Sequence, residues 1–182
     1  PNKVIFLTCD AFGILPAVSK LDSDQAMYHF ISGYTAKVAG TERGIKEPVA
    51  TFSPCYGGPF LTLHPLVYAE LLKDKIEKYK VNVYLVNTGW IGGSPSSGAK
   101  RISIQNTRSM IDSILDGNIE YSEFKIDPIF GLKIPMTLGN IPSNVLNPRE
   151  SWKDKSLYDA GAEELSSLFK DNFLKFGDTV DY

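Results

Sequence analysis

Residues 81–86 carry an apolar side chain at every position except Asn82. So dense a run is the pattern of a strand covered on both faces. Shorter β-branched and aromatic runs at residues 4–8 and 49–52 read as companion strands, and each of the three is followed by a helical pattern. After the first, Asp22 can cap a helix and Gln25 can complete a capping box. Met27, Phe30, Ile31, Tyr34 and Val38 then fall at helical spacing, with Gly40 as the stop. After the second, a Pro- and Gly-rich loop at residues 53–58 leads to Pro65 at a first helical position. Tyr68, Leu71, Leu72, Ile76 and Tyr79 form the apolar stripe there, opposite Glu70, Lys73, Asp74, Glu77 and Lys78. After the third, Met110, Ile111, Ile114 and Leu115 mark a helix closed by Gly117. Three alternations predict an α/β layer rather than a bundle or a sandwich, and 182 residues suit one domain.

Beyond Gly117 the pattern thins. Residues 124–126 and 132–134 read as short strands, the prolines from Pro128 to Pro148 space out irregular coil, and a last helix spans about 157–176. Its stripe is Leu165, Leu168, Phe169 and Phe176, with Phe173 beside it.

The charge balance of 19 basic to 21 acidic residues provides no net field to draw nucleic acid or an anionic membrane, so neither is expected as a partner. No run approaches the roughly 18 apolar residues of a membrane span, and no signal-peptide pattern opens the chain. A cytoplasmic location is the expectation. Cys9 and Cys55 lack paired metal or redox spacing and read as reduced thiols. Pro1 in place of Met, directly before an apolar run, suggests a piece of something longer.

The segment after the third strand carries the chemistry. Gly93-Ser94-Pro95-Ser96-Ser97-Gly98-Ala99-Lys100 approaches a phosphate loop, but Ala99 parts the glycine from the lysine and Arg101 stands where a magnesium-binding Ser or Thr belongs. By itself it is more often surface coil than a ligand site. Arg101 to Thr107 then runs from an extended segment into a helix amino terminus. A guanidinium there can stack on a base, while backbone near Ile102 and the Thr107 hydroxyl can hydrogen-bond a purine edge or ribose. Such contacts hold adenosine; they catalyse nothing. His29 and His64 read as structural, and Cys55 with His64 lacks the third residue of a catalytic set. Trp90 reads as a core wall more than a base platform. Asp10 and Lys37 are candidates to face the cleft, and Glu42 with Arg43 is either a ligand clamp or two solvated charges.

Six segments in order resemble ATP-dependent phosphoenolpyruvate carboxykinase: Val4-Ile5-Phe6-Leu7-Thr8, Asp10-Ala11-Phe12-Gly13, Tyr34-Thr35-Ala36-Lys37, Gly40-Thr41-Glu42-Arg43-Gly44, Asn87-Thr88-Gly89-Trp90 and Lys100-Arg101-Ile102-Ser103-Ile104. The resemblance implies a mixed sheet with flanking helices, residues 1–182 being the C-terminal portion of that family's mononucleotide-binding lobe. It implies a lyase that converts oxaloacetate and ATP to phosphoenolpyruvate, ADP and carbon dioxide in gluconeogenesis, with Mg and Mn as metals. Arg101 and Ile102 match adenine-contacting positions and Thr107 a further nucleotide-binding one. The family's phosphate loop, metal ligands and oxaloacetate-binding residues precede the equivalent of Pro1. The resemblance therefore places no catalytic or metal-binding residue here, leaves the rest of the polypeptide to complete the site, and implies an inactive chain in isolation. The alternative is a free-standing, non-catalytic nucleotide-binding or interaction module.

Overall fold

The computed structural model describes residues 1–37 and 47–176. In chain order it contains β1 (Lys3–Thr8), β2 (Val18–Leu21), α1 (Ser23–Ser32), β3 (Tyr34–Lys37), β4 (Val49–Phe52), α2 (Pro65–Tyr79), β5 (Asn82–Asn87) and β6 (Trp90–Ile91). There follow β7 (Lys100–Arg101), α3 (Ile104–Asp116), β8 (Phe124–Ile126), β9 (Lys133–Pro135), α4 (Ser143–Leu146), α5 (Pro148–Ser151) and α6 (Lys155–Phe173). Five strands form one sheet in the order β1-β5-β2-β9-β8, and β3 with β4 and β6 with β7 form two-stranded ribbons. In the main sheet β1 runs parallel to β5 and the other pairings are antiparallel, so the sheet is mixed.

The apolar run resolves as β5, and its alternation builds the two cores. Val83 and Leu85 pack with Phe6, Ile76, Leu165 and Phe169 on one face, while Tyr84 and Val86 pack with Ile102, Met110, Ile114 and Leu146 on the other. Helices α1, α2 and α6 thus cover one side and α3 the other, as a strand apolar on both faces requires. Among the described residues no helix is long and apolar enough to cross a membrane.

The capping box forms as expected: Gln25 N–H donates to Asp22 Oδ1 at 2.9 Å, and Gln25 Oε1 accepts from the Asp22 N–H. The end of α1 departs from the pattern of apolar spacing. Gly33 takes φ 52° and its N–H bonds back to the His29 carbonyl, closing the helix. A Cβ there would lie 1.7 Å from the Ser53 carbonyl oxygen, so only glycine allows this turn. Tyr34 is therefore not a helical residue; it opens β3 opposite Phe52 and buries its ring against Phe52 and Phe169. Val38, Gly40 and the turn bearing Glu42 and Arg43 lie outside the described residues.

Strand β2 and the β6–β7 ribbon are additions to the elements expected from the sequence. On α2 the burial centres on Ala69 and Ile76, leaving Leu71 and Tyr79 more than half exposed. The two short strands past Gly117 form as β8 and β9, and the proline-rich stretch contains α4 and α5. The last helix starts at the Asp154 cap and continues into a turn of 3-10 helix at Leu174–Phe176.

Candidate functional site

The parallel pairing of β1 and β5 aligns Thr8 with Asn87, so the loops leaving both strands emerge at the same end of the sheet. Asn87 joins them. Its buried Oδ1 accepts from the Asp10 and Gly89 N–H groups at 3.0 and 2.8 Å, and its Nδ2 donates to the Leu15 carbonyl at 3.0 Å. The Trp90 N–H donates to the Asp10 carbonyl at 2.9 Å. A Cβ on Gly89 would fall 1.8 Å from that same carbonyl oxygen, so glycine is what lets the two loops touch.

Asp10 does not face a cleft. Its fully buried carboxylate accepts from the backbone N–H groups of Phe12, Ile14 and Leu15 at 3.1, 2.7 and 2.9 Å, and from the Tyr34 hydroxyl at 2.9 Å. Burial pushes its pKa above the ordinary carboxylate value, while those four donors pull it back. The Tyr34 hydroxyl is pushed strongly upward by burial and by the neighbouring carboxylate. Lys37, half-buried at the end of β3, pairs in register with Val49.

Beyond Gly89 the chain forms a ribbon in which Trp90 stands opposite Arg101. The Arg101 guanidinium carbon sits 5.1 Å from the Trp90 ring centroid, its Nε donates to the Thr88 carbonyl at 2.8 Å, and one terminal nitrogen lies 3.7 Å from Cys9 Sγ. Arg101 is nevertheless solvent-exposed. Burial pushes the Cys9 thiol up, and Arg101 opposes that rise. Trp90 is half-buried beneath the guanidinium, so it is neither a plain core wall nor a bare base platform but a support for the cation.

Ile102 donates its N–H to the Gly89 carbonyl at 2.8 Å and sends its side chain into the second core. Ser103 caps α3, its hydroxyl accepting from the Asn106 N–H at 3.1 Å. Thr107 sits half-buried in the first turn. The three residues singled out from the sequence lie on the stretch that runs from β7 into the first turn of α3. The Arg101 side chain is exposed and that of Thr107 half-buried, whereas Ile102 turns its own into the core.

The stretch resembling a phosphate loop is the tip of the ribbon, connecting β6 to β7 through a 3-10 turn at Pro95–Ser97. A phosphate loop runs from strand into helix; this one returns to a strand, and its serines bond one another, Ser94 Oγ to Ser96 Oγ and Ser97 Oγ to the Ser94 carbonyl. A cavity of about 1100 Å³ lies between the ribbon, β4 and α6, with Phe12, Gly93, Lys100, Trp152 and Glu164 in its walls. Arg101, Ile102 and Thr107 are not among its walls.

His64 caps α2 by accepting the Leu66 N–H at Nδ1, and Cys55 Sγ donates to the Pro65 carbonyl at 3.7 Å. Burial pushes the Cys55 thiol up to about 11, which suits a structural thiol, and both cysteines are free of disulfides. Among the described residues no group of three His, Cys, Asp or Glu side chains could hold a metal ion.

Comparison with known proteins follows the motifs. A family model described as phosphoenolpyruvate carboxykinase matches residues 1–144. Phosphoenolpyruvate carboxykinase (ATP) of Sulfurimonas denitrificans is 58% identical over 176 residues, which are 97% of this chain and 33% of that protein. The enzyme of the same name from Campylobacter jejuni subsp. doylei is 58% identical over 181 residues, 100% of this chain and 34% of that protein. That of Geotalea uraniireducens is 55% identical over 97% of this chain. The chain spans about a third of the length of the curated relatives it matches. With a matching family model over most of its residues and the ordered motifs on one mixed sheet, the chain belongs to the ATP-dependent phosphoenolpyruvate carboxykinase family.

Proposed function

We propose that this chain supplies the adenosine-binding part of a carboxykinase that converts oxaloacetate and ATP to phosphoenolpyruvate, ADP and carbon dioxide. Residues 1–182 form the C-terminal portion of its nucleotide-binding domain. The observation carrying this reading is the exposed Arg101 guanidinium, fixed at the start of the β7–α3 junction with Thr107 one turn into the helix. An arginine so held presents a flat cationic face to a purine. The Thr107 hydroxyl can reach the base edge or ribose, and Ile102, with its side chain in the core and its N–H on the Gly89 carbonyl, contributes its backbone carbonyl.

Phosphoryl transfer to the enolate left by decarboxylation depends on a phosphate cradle and on cations that neutralise charge. Mg and Mn, with their ligands and the oxaloacetate contacts, belong in this reading to the rest of the polypeptide. The proposed role of this chain is recognition, in the cytoplasm, and it forms no phosphoenolpyruvate alone.

Titration of the purified chain with ATP, ADP and adenosine tests the assignment. The three ligands bind weakly and with similar affinity, because the contacts are to base and ribose. Arg101→Ala weakens each by about five-fold, the scale of an exposed cation–π contact. Equal affinity in both proteins removes Arg101 from the site. Phosphoenolpyruvate formed from oxaloacetate and ATP by the purified chain overturns the recognition-only role.

A further inference from the structure

The feature that the adenosine reading leaves unused is what lies under the guanidinium. Trp90 and Arg101 are cross-strand partners on a ribbon only two residue pairs long, and neighbours in such a pair bring their side chains together. The Trp90 backbone is pinned to the Asp10 carbonyl, and Gly89 in turn accepts the Ile102 N–H. Both strands of the ribbon are thus tied to the β1–β5 end of the sheet. On that frame the guanidinium has three fixed neighbours: the indole ring, the Thr88 carbonyl at Nε and the Cys9 sulfur at a terminal nitrogen.

We infer that Trp90 is a positioning residue for nucleoside binding: its indole and the Thr88 carbonyl hold the Arg101 guanidinium flat, so that a purine stacks on the face turned away from the indole. An unsupported surface arginine samples many rotamers and must surrender that freedom when a base lands on it. Here the freedom is already gone before the ligand arrives. The indole also attracts the cation through its own ring face, so base, guanidinium and indole form a three-layer stack in which the outer rings share one charge. A leucine keeps an apolar but smaller side chain without that attraction, and a phenylalanine keeps a weaker form of it.

This inference rests on the adenosine reading, and the experiment separates the two. The full 182-residue chain is labelled with 5-fluorotryptophan, which gives fluorine signals from Trp90 and Trp152, and Trp90→Phe assigns them. Adenosine shifts the Trp90 signal with the dissociation constant measured independently by calorimetry, ribose 5-phosphate does not, and Arg101→Ala abolishes the shift. Trp90→Phe binds adenosine within about two-fold of the parent, whereas Trp90→Leu binds about five-fold more weakly, the scale of an exposed cation–π contact. A Trp90→Leu protein that melts like the parent and binds adenosine equally well overturns the inference and leaves the adenosine reading standing. A Trp90 signal unmoved at saturating adenosine does the same. If Trp90→Leu does not fold, Arg101→Lys decides, since it keeps the charge and loses the plane: a loss like that of Arg101→Ala supports the platform, and parental affinity overturns it. Absence of adenosine binding by the parent chain removes the adenosine reading and this inference together.

Discussion

Asp10→Ala is expected to destabilise the chain by about 4 kcal/mol. The carboxylate is fully buried, and its loss strands the Ile14 and Leu15 N–H groups and the Tyr34 hydroxyl in the interior and leaves the part-buried Phe12 N–H without this partner. An unsatisfied buried donor costs on the order of 1 to 3 kcal/mol, and the three buried ones together exceed what is regained by removing a charge that burial disfavours. Against a typical domain stability of about 5 to 15 kcal/mol, such a loss brings the fold to its margin. Asp10→Asn retains one acceptor oxygen for the close Ile14 and Leu15 donors but turns an amide NH2 toward the Phe12 N–H. About half the loss follows. Tyr34→Phe removes one donor and one hydrogen bond, at about 1 kcal/mol. Urea unfolding of the three variants and of the Asp10→Ala, Tyr34→Phe double variant checks the scheme: the double variant is less destabilised than the sum of the singles, because the first change has already broken the shared bond. An Asp10→Ala protein within about 1 kcal/mol of the parent would falsify the view that this carboxylate fastens the β1 loop.

The same residue shows where sequence reasoning succeeds and where it stops. Strand β5 was legible because burial on both faces leaves an unbroken apolar run, and the start of α1 because a capping box is a local device with its own residue code. The β7–α3 junction was legible as a segment, since an extended run ending at a cap predicts where the helix begins. Tyr34 was misplaced because its spacing continues the α1 stripe; the helix is ended by a left-handed glycine whose necessity lies in the distant Ser53 carbonyl. Strand β2 has only four residues, two of them Ser19 and Lys20, and gains its strand character from β5 beside it. The β6–β7 ribbon left one usable trace, an aromatic and β-branched pair and a basic pair flanking a Gly- and Ser-rich loop, which is a hairpin pattern. Asp10 looked free to face a ligand because it follows a strand. An Asp that accepts N–H groups a few residues ahead is equally a turn-former, and only the contact with Tyr34 distinguishes the two.

Acidification is expected to remove about 3 kcal/mol of stability through His29 alone. This histidine is 6% exposed on α1, beside the rings of Tyr28 and Phe169. It borders an apolar cleft of about 450 Å³, which also has Asp24, Phe130 and Lys170 in its walls. Burial lowers its pKa from 6.5 to about 4, because an imidazolium there would lose its water. Between those two values the unfolded chain binds a proton that the folded chain refuses, so stability is complete above about pH 6.5, falls with decreasing pH, and levels off below about 4. The shift corresponds to about 3 kcal/mol at 1.36 kcal/mol per unit. Carboxylates titrate in part of the same window, so the informative quantity is the difference between parent and His29→Gln in urea unfolding at pH 7, 6, 5 and 4. The variant starts less stable, having a polar amide among aromatic rings, yet loses about 3 kcal/mol less on the way down. Parallel pH profiles for the two proteins, or an imidazole that titrates near 6.5 by NMR in the folded chain, would show that the ring reaches water and that the aromatic wall around it is open.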